Sequence, residues 1–439
     1  MKSFKGLYST LAYLSSWILI YCLALLMPAT SSAQKSVDAA SLTILYVLLS
    51  ALVAIISHYV LEDKYSQLRM TNNSSIERPI DHRNLRLIIK FSSMLAIVGI
   101  FMLSYDRVFI QDIDYSQGIA SAREQWRVIG GQRQGVSSIA SVLGNLLSPF
   151  CFIPLVVAHL HWERLPAWNR CLGLVTGLAV LLSICLLNGG RSPLFLQIST
   201  TISTGLIRLV RQNSPFFPGR KKTRWFLPIL LFTAATLYSI YVFAIRASTG
   251  GISSRDYALA FIDHLGGIET SLFYDIEKLI EPLRSFIYFA TIALAYLVHS
   301  LWSFETLLDA QPTFTTGHLS FLFIRSLLSR LDLVAPNGAI LAEIQGRFLP
   351  LPGVLWYDLG RVVWLASIIH GFSLGLSTFM MMRLRLGGGG FVFVLSVLSI
   401  TLLSPFCFAV NLSSFPFMVF AYIALNGMIC LFKRRCYWL

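Results

Sequence analysis

The sequence predicts an all-α polytopic membrane protein, and three observations support this prediction. Of the 439 residues, 55% are hydrophobic and only 13% are charged, whereas about a quarter of the residues in soluble domains are charged. Apolar runs of about 20 residues recur along the chain, and this length spans the hydrocarbon core of a bilayer as a helix. Basic and non-basic connections alternate between the runs, as the positive-inside rule requires of successive crossings.

Ten apolar runs are predicted to span the membrane. They lie near 8–27, 41–61, 86–105, 136–160, 172–187, 191–210, 226–246, 360–382, 391–409 and 411–432. The first run is too long for the apolar part of a signal peptide and further spans follow it, so it is interpreted as a membrane helix. Of the 35 Lys and Arg residues, 20 fall in connections that this arrangement places inside. Both termini are therefore predicted to be cytoplasmic.

Two longer segments remain outside in this arrangement. The chain is interpreted as one integral membrane domain, 1–439, with a smaller periplasmic loop at 106–135 and a large one at 247–358. Within the large loop, apolar residues between 257 and 280 recur at three- or four-residue spacing and charged residues lie on the opposite face. This pattern predicts an amphipathic helix in the plane of the membrane interface.

The number of spans depends on residues 283–302, which are nearly apolar and long enough to cross. If they cross, the chain must return through residues 319–340, which carry Arg325, Arg330 and Asp332. Each of these charges costs roughly 2.5–3.5 kcal/mol at a helix centre. We therefore predict ten spans, with 283–302 re-entrant or packed at the membrane surface, and twelve spans as the alternative.

Four arginines lie where predicted spans meet the outer interface. They are Arg191, Arg246, Arg255 and Arg361. A guanidinium group binds phosphate through two parallel hydrogen bonds and stays charged. Arg191 follows two glycines at the start of a span, where a ligand can approach closely and where anions are favoured. The alternative for each arginine is a side chain that extends from a helix end to water and lipid headgroups.

Two outer side chains are predicted as a general base. His318 lies in a polar turn, and Asp358 lies three residues before Arg361. A group that accepts a proton near phosphate-binding arginines can activate a hydroxyl nucleophile. The alternatives are a structural role for His318 and an ion pair between Asp358 and Arg361. Asp263 and His264 are further, weaker candidates.

Neither a metal ion nor a cofactor is predicted. Asp112 and Asp114 have the spacing found in some metal-dependent glycosyltransferases, but such acidic pairs are frequent by chance. The sequence has no Walker, HExxH or GxSxG motif, so it does not support an ATP-driven pump or a protease of those types. The net charge of +14 is explained by the basic inner connections, so nucleic acid is not predicted as a partner.

Three local patterns in the chain resemble those of the Wzy-type O-antigen polymerases. They are the segment 188–192, which holds a Gly-x-Arg-like pattern, the aromatic, Pro and Gly pattern running from Tyr288 to Phe321, and the entry into a late helix at 355–360. Some members of that family also have, in two periplasmic loops, an Arg followed eleven residues later by a Gly. Arg107 with Gly118 and Arg255 with Gly266 match this spacing.

The resemblance implies a GT-C-like architecture in the bacterial inner membrane, with the active face in the periplasm. It implies that a growing glycan is transferred from undecaprenyl pyrophosphate to the next lipid-linked repeat unit. Arg191, Arg246 and Arg255 would bind the pyrophosphate, with Arg361 in reserve. His318 is the first choice for the base and Asp358 the second. A chain-length regulator protein is implied as a partner, and no cofactor is implied.

Three other functions stay open on the sequence. An O-antigen ligase uses the same donor but transfers the glycan to lipid A-core, and it also needs outer arginines and a large outer loop. A lipid-linked oligosaccharide flippase or other transporter would favour charges along a central path and symmetry between two halves. The sequence shows neither feature. The last alternative is a structural membrane partner in a glycan assembly complex.

Overall fold

The computed structural model describes most of the chain. The residues described are 5–33, 36–69, 82–116, 118, 121–122, 125–126, 138–188, 190, 192–219, 224–309, 319–320, 347–383, 386 and 388–432. Over these residues the structure is mostly helical, at 82%. This confirms the predicted all-α class in its broad form.

Fifteen α-helices lie in the described part of the chain. They are α1 Tyr8–Leu26, α2 Ser36–Arg69, α3 His82–Tyr105, α4 Ile139–Leu147, α5 Phe152–Leu160, α6 Ala167–Asn188, α7 Ser192–Ile207, α8 Phe226–Thr249, α9 Ser254–His264, α10 Ser271–Glu277, α11 Leu283–Asp309, α12 Leu351–Leu359, α13 Val363–Arg383, α14 Gly388–Leu403 and α15 Ser414–Phe432. Short π or 3-10 segments extend α3 through Asp106–Ile110 and α7 through Arg208–Gln212, and join α12 to α13 through Gly360–Val362. Further 3-10 segments lie at Ser148–Cys151, Trp162–Arg164 and Ala409–Asn411. The described strands are β1 Ala29–Ser31 and β2 Gly267–Glu269.

Eight helices in the described part of the chain are long and apolar enough to cross a membrane. Seven of them coincide with predicted spans. They are Tyr8–Leu26, Ser36–Tyr65, Arg83–Ile110, Ile139–Leu160, Ala167–Asn188, Ser192–Gln212 and Leu351–Arg383, and the eighth is Leu283–Leu308. Two shorter apolar helices, Gly388–Leu403 and Ser414–Met428, coincide with the last two predicted spans, and α8 coincides with 226–246. The chain is therefore a membrane-embedded helical protein.

The helices alternate in direction, so the bundle has two distinct ends. We call the end where α1 begins and α15 ends the terminal end, and the end where α1 leads into α2 the distal end. At the terminal end the Lys5 ammonium donates to Asn213 just after α7, at 2.9 Å. At the distal end Arg107, after α3, donates to Asn188, the last residue of α6, at 3.2 Å.

Small residues let α2 and α13 pack in close contact along the middle of the bundle. A Cβ atom on Gly371 would lie 2.4 Å from the Ser50 carbonyl oxygen, and one on Gly375 would lie 2.5 Å from that of Ala54. The Ser50 and Ser367 hydroxyls are also 2.9 Å apart across this contact. Close approach of helices at small residues, with hydrogen bonds between hydroxyl groups, is the usual packing of helices in membranes.

A buried guanidinium group fixes the connections at the terminal end. The Arg208 side chain is fully buried and donates to both oxygens of the Glu163 carboxylate at 2.7 and 3.1 Å. It also donates to the backbone carbonyls of His159 at 2.8 Å and Pro215 at 3.1 Å. Because a buried charge is tolerated only when it is paired and hydrogen-bonded, these contacts give Arg208 a structural role.

A two-stranded antiparallel sheet joins distant parts of the chain at the distal end. Strand β1 belongs to the α1–α2 connection and pairs with β2, which follows α9. Ser32 extends the pairing by donating its backbone N–H and its hydroxyl to the Gly266 carbonyl at 3.1 and 3.0 Å. The first two helices are therefore linked directly to the segment 247–358.

Three contacts along helix α11 are made with residues at the distal end of the bundle. Near its start, the Ser285 hydroxyl lies 2.8 Å from that of Ser254 after α8. Further along, Tyr296 stacks on Phe195 in the first turn of α7, and Ser300 donates to the Pro405 carbonyl after α14 at 2.7 Å. These contacts favour the predicted surface-packed position of 283–302 over the twelve-span alternative. The number of spans stays a prediction.

Candidate functional site

The sequence-predicted site residues divide into those that the structure describes and those that it does not. Arg191 and His318 lie outside the described residues. Asp358, Arg246, Arg255 and Arg361 are described, and all four lie at the distal end. Residues next to Arg191 and His318 in the chain are also described, and their contacts bear on those two positions.

A buried charge cluster lies at the end of α6, three residues before Arg191. The Asp106 side chain is fully buried and its carboxylate accepts from Arg107 Nη1 at 3.2 Å and from Gln111 Nε2 at 2.5 Å. It also accepts from the Ser138 hydroxyl. Arg107 Nη2 donates to the Asn188 side-chain oxygen at 3.2 Å, so the cluster fixes the position of the last turn of α6.

The Arg107 guanidinium is also covered by an aromatic ring. Its central carbon lies 4.8 Å from the centre of the Trp126 ring, a distance at which a cation and a ring face attract each other. The pKa of the Tyr115 hydroxyl beside it is raised by burial, which outweighs the opposing effect of Arg107. The sequence indicated Arg107 only through its spacing from Gly118 and gave no sign that Asp106 and Arg107 are a buried pair.

Asp358 binds the backbone of the residues that follow His318. Its buried carboxylate accepts the Leu319 N–H at 3.0 Å and the Ser320 N–H at 2.5 Å. Both carboxylate oxygens are therefore engaged, one by each amide. This geometry suits a residue that positions the His318 segment better than it suits a free base. The prediction of Asp358 as a second-choice base is left without support from its contacts.

The backbone geometry explains why a glycine stands at position 360, two residues after Asp358. Gly360 has φ of 53° and ψ of −128°, a region of backbone conformation that side-chain-bearing residues rarely enter. The turn at Gly360 ends α12 and starts the short segment that carries Arg361. Within the segment 355–360, Asp358 thus binds a neighbouring backbone and Gly360 redirects the chain.

Arg246 and Arg361 are available for a ligand. Arg246 is half-buried in the last turn of α8, and Arg361 is exposed at the start of the α13 region. Neither side chain forms an ion pair or hydrogen bond with another described residue. Their position and lack of described partners fit the predicted anion-binding role.

Arg255 differs from them because two carboxylates surround it. Its Nε atom donates to Glu277, and its Nη1 atom lies 3.6 Å from the Asp256 carboxylate. The hydrogen bond that Arg255 donates to Glu277 is the main reason that the pKa of Arg255 is raised. A phosphate group would have to displace these carboxylates, so the structure supports Arg255 less well than Arg246 or Arg361.

The structure adds one arginine that the sequence did not indicate. Arg347 precedes α12 and is half-buried, and its Nη1 atom would lie 3.3 Å from a Cβ atom built on Gly266. It thereby connects the α9–β2 turn with the segment that leads to Asp358. The local sequence around Arg347 has no motif that would have marked it.

The described residues hold no group of three or more His, Cys, Asp or Glu side chains that could bind a metal ion. In the acidic pair considered above, Asp112 has a left-handed φ of 52°, and the Asp114 carboxylate accepts the Ser116 N–H at 2.8 Å. These features are typical of a turn in which an aspartate side chain binds the backbone two residues on. The DxD spacing is explained by this local structure.

Comparisons with known proteins give no relative from which a role could be transferred to these residues. No family model, no curated protein and no solved structure matches the chain. The distal end with its arginines therefore carries the functional argument by itself.

Proposed function

We propose that this protein polymerises lipid-linked oligosaccharide repeat units at the periplasmic face of the bacterial inner membrane. The growing glycan would pass from undecaprenyl pyrophosphate to the next lipid-linked unit. The observation that carries the proposal is that Arg246, Arg347 and Arg361, from three separate segments, lie at the distal end without an ion-pair partner among the described residues. Guanidinium groups at one end of a membrane protein that have no described ion-pair partner favour an anionic ligand there.

The reaction divides into steps that match these side chains. The bond between the first sugar carbon and the pyrophosphate oxygen breaks, and the acceptor hydroxyl oxygen forms the new bond to that carbon. The hydroxyl proton goes to a base, for which His318 is the candidate, and the lipid pyrophosphate leaves. The arginines would stabilise the charge that develops on the leaving group, which is commonly the largest electrostatic contribution to catalysis.

Asp358 has a positioning role in this proposal. By accepting two backbone N–H groups from Leu319 and Ser320, it fixes the chain immediately after His318. A base must be held within hydrogen-bonding reach of the proton that it removes, and misplacement by about 1 Å can cost roughly a hundredfold in rate. Asp358 therefore acts through His318 and does not touch the reacting atoms.

The test is the length of surface glycan in a bacterial strain from which the gene is deleted. The strain is complemented with wild type, with Arg191→Ala, or with the control Arg284→Ala, and the membrane level of each protein is checked. Arg284 is a suitable control because it is ion-paired to Glu281 at 2.9 Å in the same distal segment. We expect wild type and the control to restore a ladder of chain lengths and Arg191→Ala to leave a single repeat on the core.

Other outcomes distinguish the alternatives. Bare core with long lipid-linked chains in the deletion strain would indicate a ligase. Bare core with single lipid-linked units retained inside would indicate a transporter. A full ladder from Arg191→Ala would contradict the phosphate-binding role of Arg191 but would leave polymerisation supported.

A further inference from the structure

The segment that carries Arg347 is held at two points. The Phe348 N–H donates to His299 Nε2 at 2.9 Å, and the Leu351 N–H donates to the Ser404 carbonyl at 2.9 Å. The Phe348 ring also packs edge-to-face on Tyr296, with 5.8 Å between ring centres. The backbone on which Arg347 stands is therefore fixed against α11 and the end of α14.

The guanidinium group lies close to a backbone turn and forms no ion pair with a described carboxylate. A Cβ atom built on Gly266 would lie 3.3 Å from Arg347 Nη1 and 3.1 Å from the Thr306 hydroxyl oxygen. Gly266 has φ of +83°, a conformation that residues with side chains rarely adopt. A side chain at this position would also crowd the Arg347 guanidinium group and the Thr306 hydroxyl.

The charge of Arg347 is only partly compensated by the described residues. Burial lowers the pKa of Arg347, and Asp263 opposes this effect. No ion pair joins Arg347 to Asp263 or to another described carboxylate. Asp263 is exposed, so water and salt screen its charge. A bound anion therefore stabilises a half-buried guanidinium group in this state more than it would stabilise a fully hydrated guanidinium group.

His299 is the residue that fixes this arrangement. It is fully buried in α11, and both of its ring nitrogens are engaged. Nε2 accepts the Phe348 N–H at 2.9 Å, and Nδ1 lies 2.8 Å from the Tyr296 carbonyl oxygen and donates to it. A ring that accepts at one nitrogen and donates at the other is neutral, so His299 supplies geometry and not charge.

We propose that Arg347 binds a diphosphate group at the distal end and that His299 is its positioning residue. The proposal rests on the proposed function, in which a lipid pyrophosphate is the leaving group. The planar guanidinium fork of Arg347 offers parallel N–H groups to two phosphate oxygens. Arg347 lies beside the α9–β2 turn and, in the chain, four residues before α12 begins.

The direct test is binding of inorganic pyrophosphate to the purified full chain in detergent, measured by isothermal titration calorimetry. Arg347→Gln removes the charge and keeps a side chain of similar length, and Arg284→Gln serves as the matched control. We expect Arg347→Gln to weaken binding by about tenfold or more, since charge-assisted hydrogen bonds are lost, and the control to bind as wild type does. Absence of pyrophosphate binding to wild type, or equal binding by Arg347→Gln, would overturn the proposal.

Two substitutions at His299 test the positioning role. His299→Gln retains an acceptor for the Phe348 N–H, whereas His299→Leu removes it. We expect the glutamine variant to bind pyrophosphate within a few-fold of wild type and the leucine variant to approach Arg347→Gln. Equal binding by a folded leucine variant and wild type would contradict the role of His299, and folding is checked by the unfolding temperature and circular dichroism.

The outcomes also separate this proposal from the proposed function. If Arg347→Gln binds pyrophosphate as wild type does while wild type restores the glycan ladder, the site at Arg347 is wrong and polymerisation stands. If wild type restores no ladder but its pyrophosphate binding depends on Arg347, polymerisation is wrong and the anion site stands.

Discussion

The substitution Asp358→Asn separates positioning of a backbone segment from direct participation in catalysis. The wild-type carboxylate accepts two backbone N–H groups, at 3.0 Å from Leu319 and 2.5 Å from Ser320. Hydrogen bonds to a charged group contribute about 1.5–3 kcal/mol each. Asparagine keeps one acceptor oxygen, but its amide group would point N–H groups at the second backbone donor. We therefore expect the segment to lose about 2–3 kcal/mol of local stability, the value of one such bond.

Hydrogen–deuterium exchange measures this loss directly. A change of about 2–3 kcal/mol in the free energy of local opening corresponds to roughly 30- to 140-fold faster exchange, at tenfold for each 1.4 kcal/mol. Peptides that contain Leu319 and Ser320 should show this change in Asp358→Asn. The control is Asp275→Asn, because Asp275 is exposed and pairs only with Lys278 at 2.6 Å among its described contacts. It should leave exchange at Leu319 and Ser320 unchanged.

Unchanged exchange at these two amides would contradict a positioning role for Asp358. If exchange at Leu319 and Ser320 is the same in Asp358→Asn and wild type, the carboxylate does not hold this segment in solution. Should the same variant also fail to extend the glycan, Asp358 would return as a candidate base. Faster exchange together with weaker extension would support positioning.

Two further predictions concern ion pairs that contain a buried residue. Arg107→Gln leaves the buried Asp106 carboxylate without its guanidinium partner. We expect the free energy of unfolding to fall by about 3 kcal/mol, near the low end for broken buried pairs, because other donors to Asp106 remain. A melting temperature in detergent that is unchanged from wild type would contradict this prediction. Burial raises the pKa of Glu163, but its bonds to Arg208 outweigh this and keep the pKa below the usual carboxyl value. A lowered pKa stabilises the fold above the unfolded-state pKa and is lost as the pH falls through the folded-state pKa, so Glu163→Gln should lower the melting temperature at neutral pH and by progressively less in acid. A difference that persists unchanged in acid would show that the charge of Glu163 is not its cause.

The helical class and most of the helix positions could be predicted because their signals are local. A run of apolar residues long enough to cross a membrane identifies its own segment, whatever the rest of the chain does. The predicted position of α11 at the membrane surface rests on the charges in residues 319–340, because these charges make a return crossing of the membrane costly. The contacts of Ser285 and Ser300 with other distal residues favour the same position.

The features that were missed depend on residues far apart in sequence. Strands of three residues carry no periodicity, so the pairing of β1 with β2 was not visible before the two segments were seen together. Arg255 had the same local character as Arg246, and only the structure shows Glu277, 22 positions away, beside it. Arg347 has no motif around it, and its position over Gly266 comes from the fold alone.

The pairing of β1 with β2 has a consequence for how the protein is made. Ser32 and Gly266 are 234 residues apart in the chain, and a ribosome adds about 5–20 residues per second. The α1–α2 connection therefore waits roughly 10 to 50 seconds for its partner at this rate, while the intervening helices are inserted one by one. Closure of the distal end is consequently a late step of biogenesis, and a chain released before β2 emerges would hold a membrane-inserted bundle whose site has not yet been assembled.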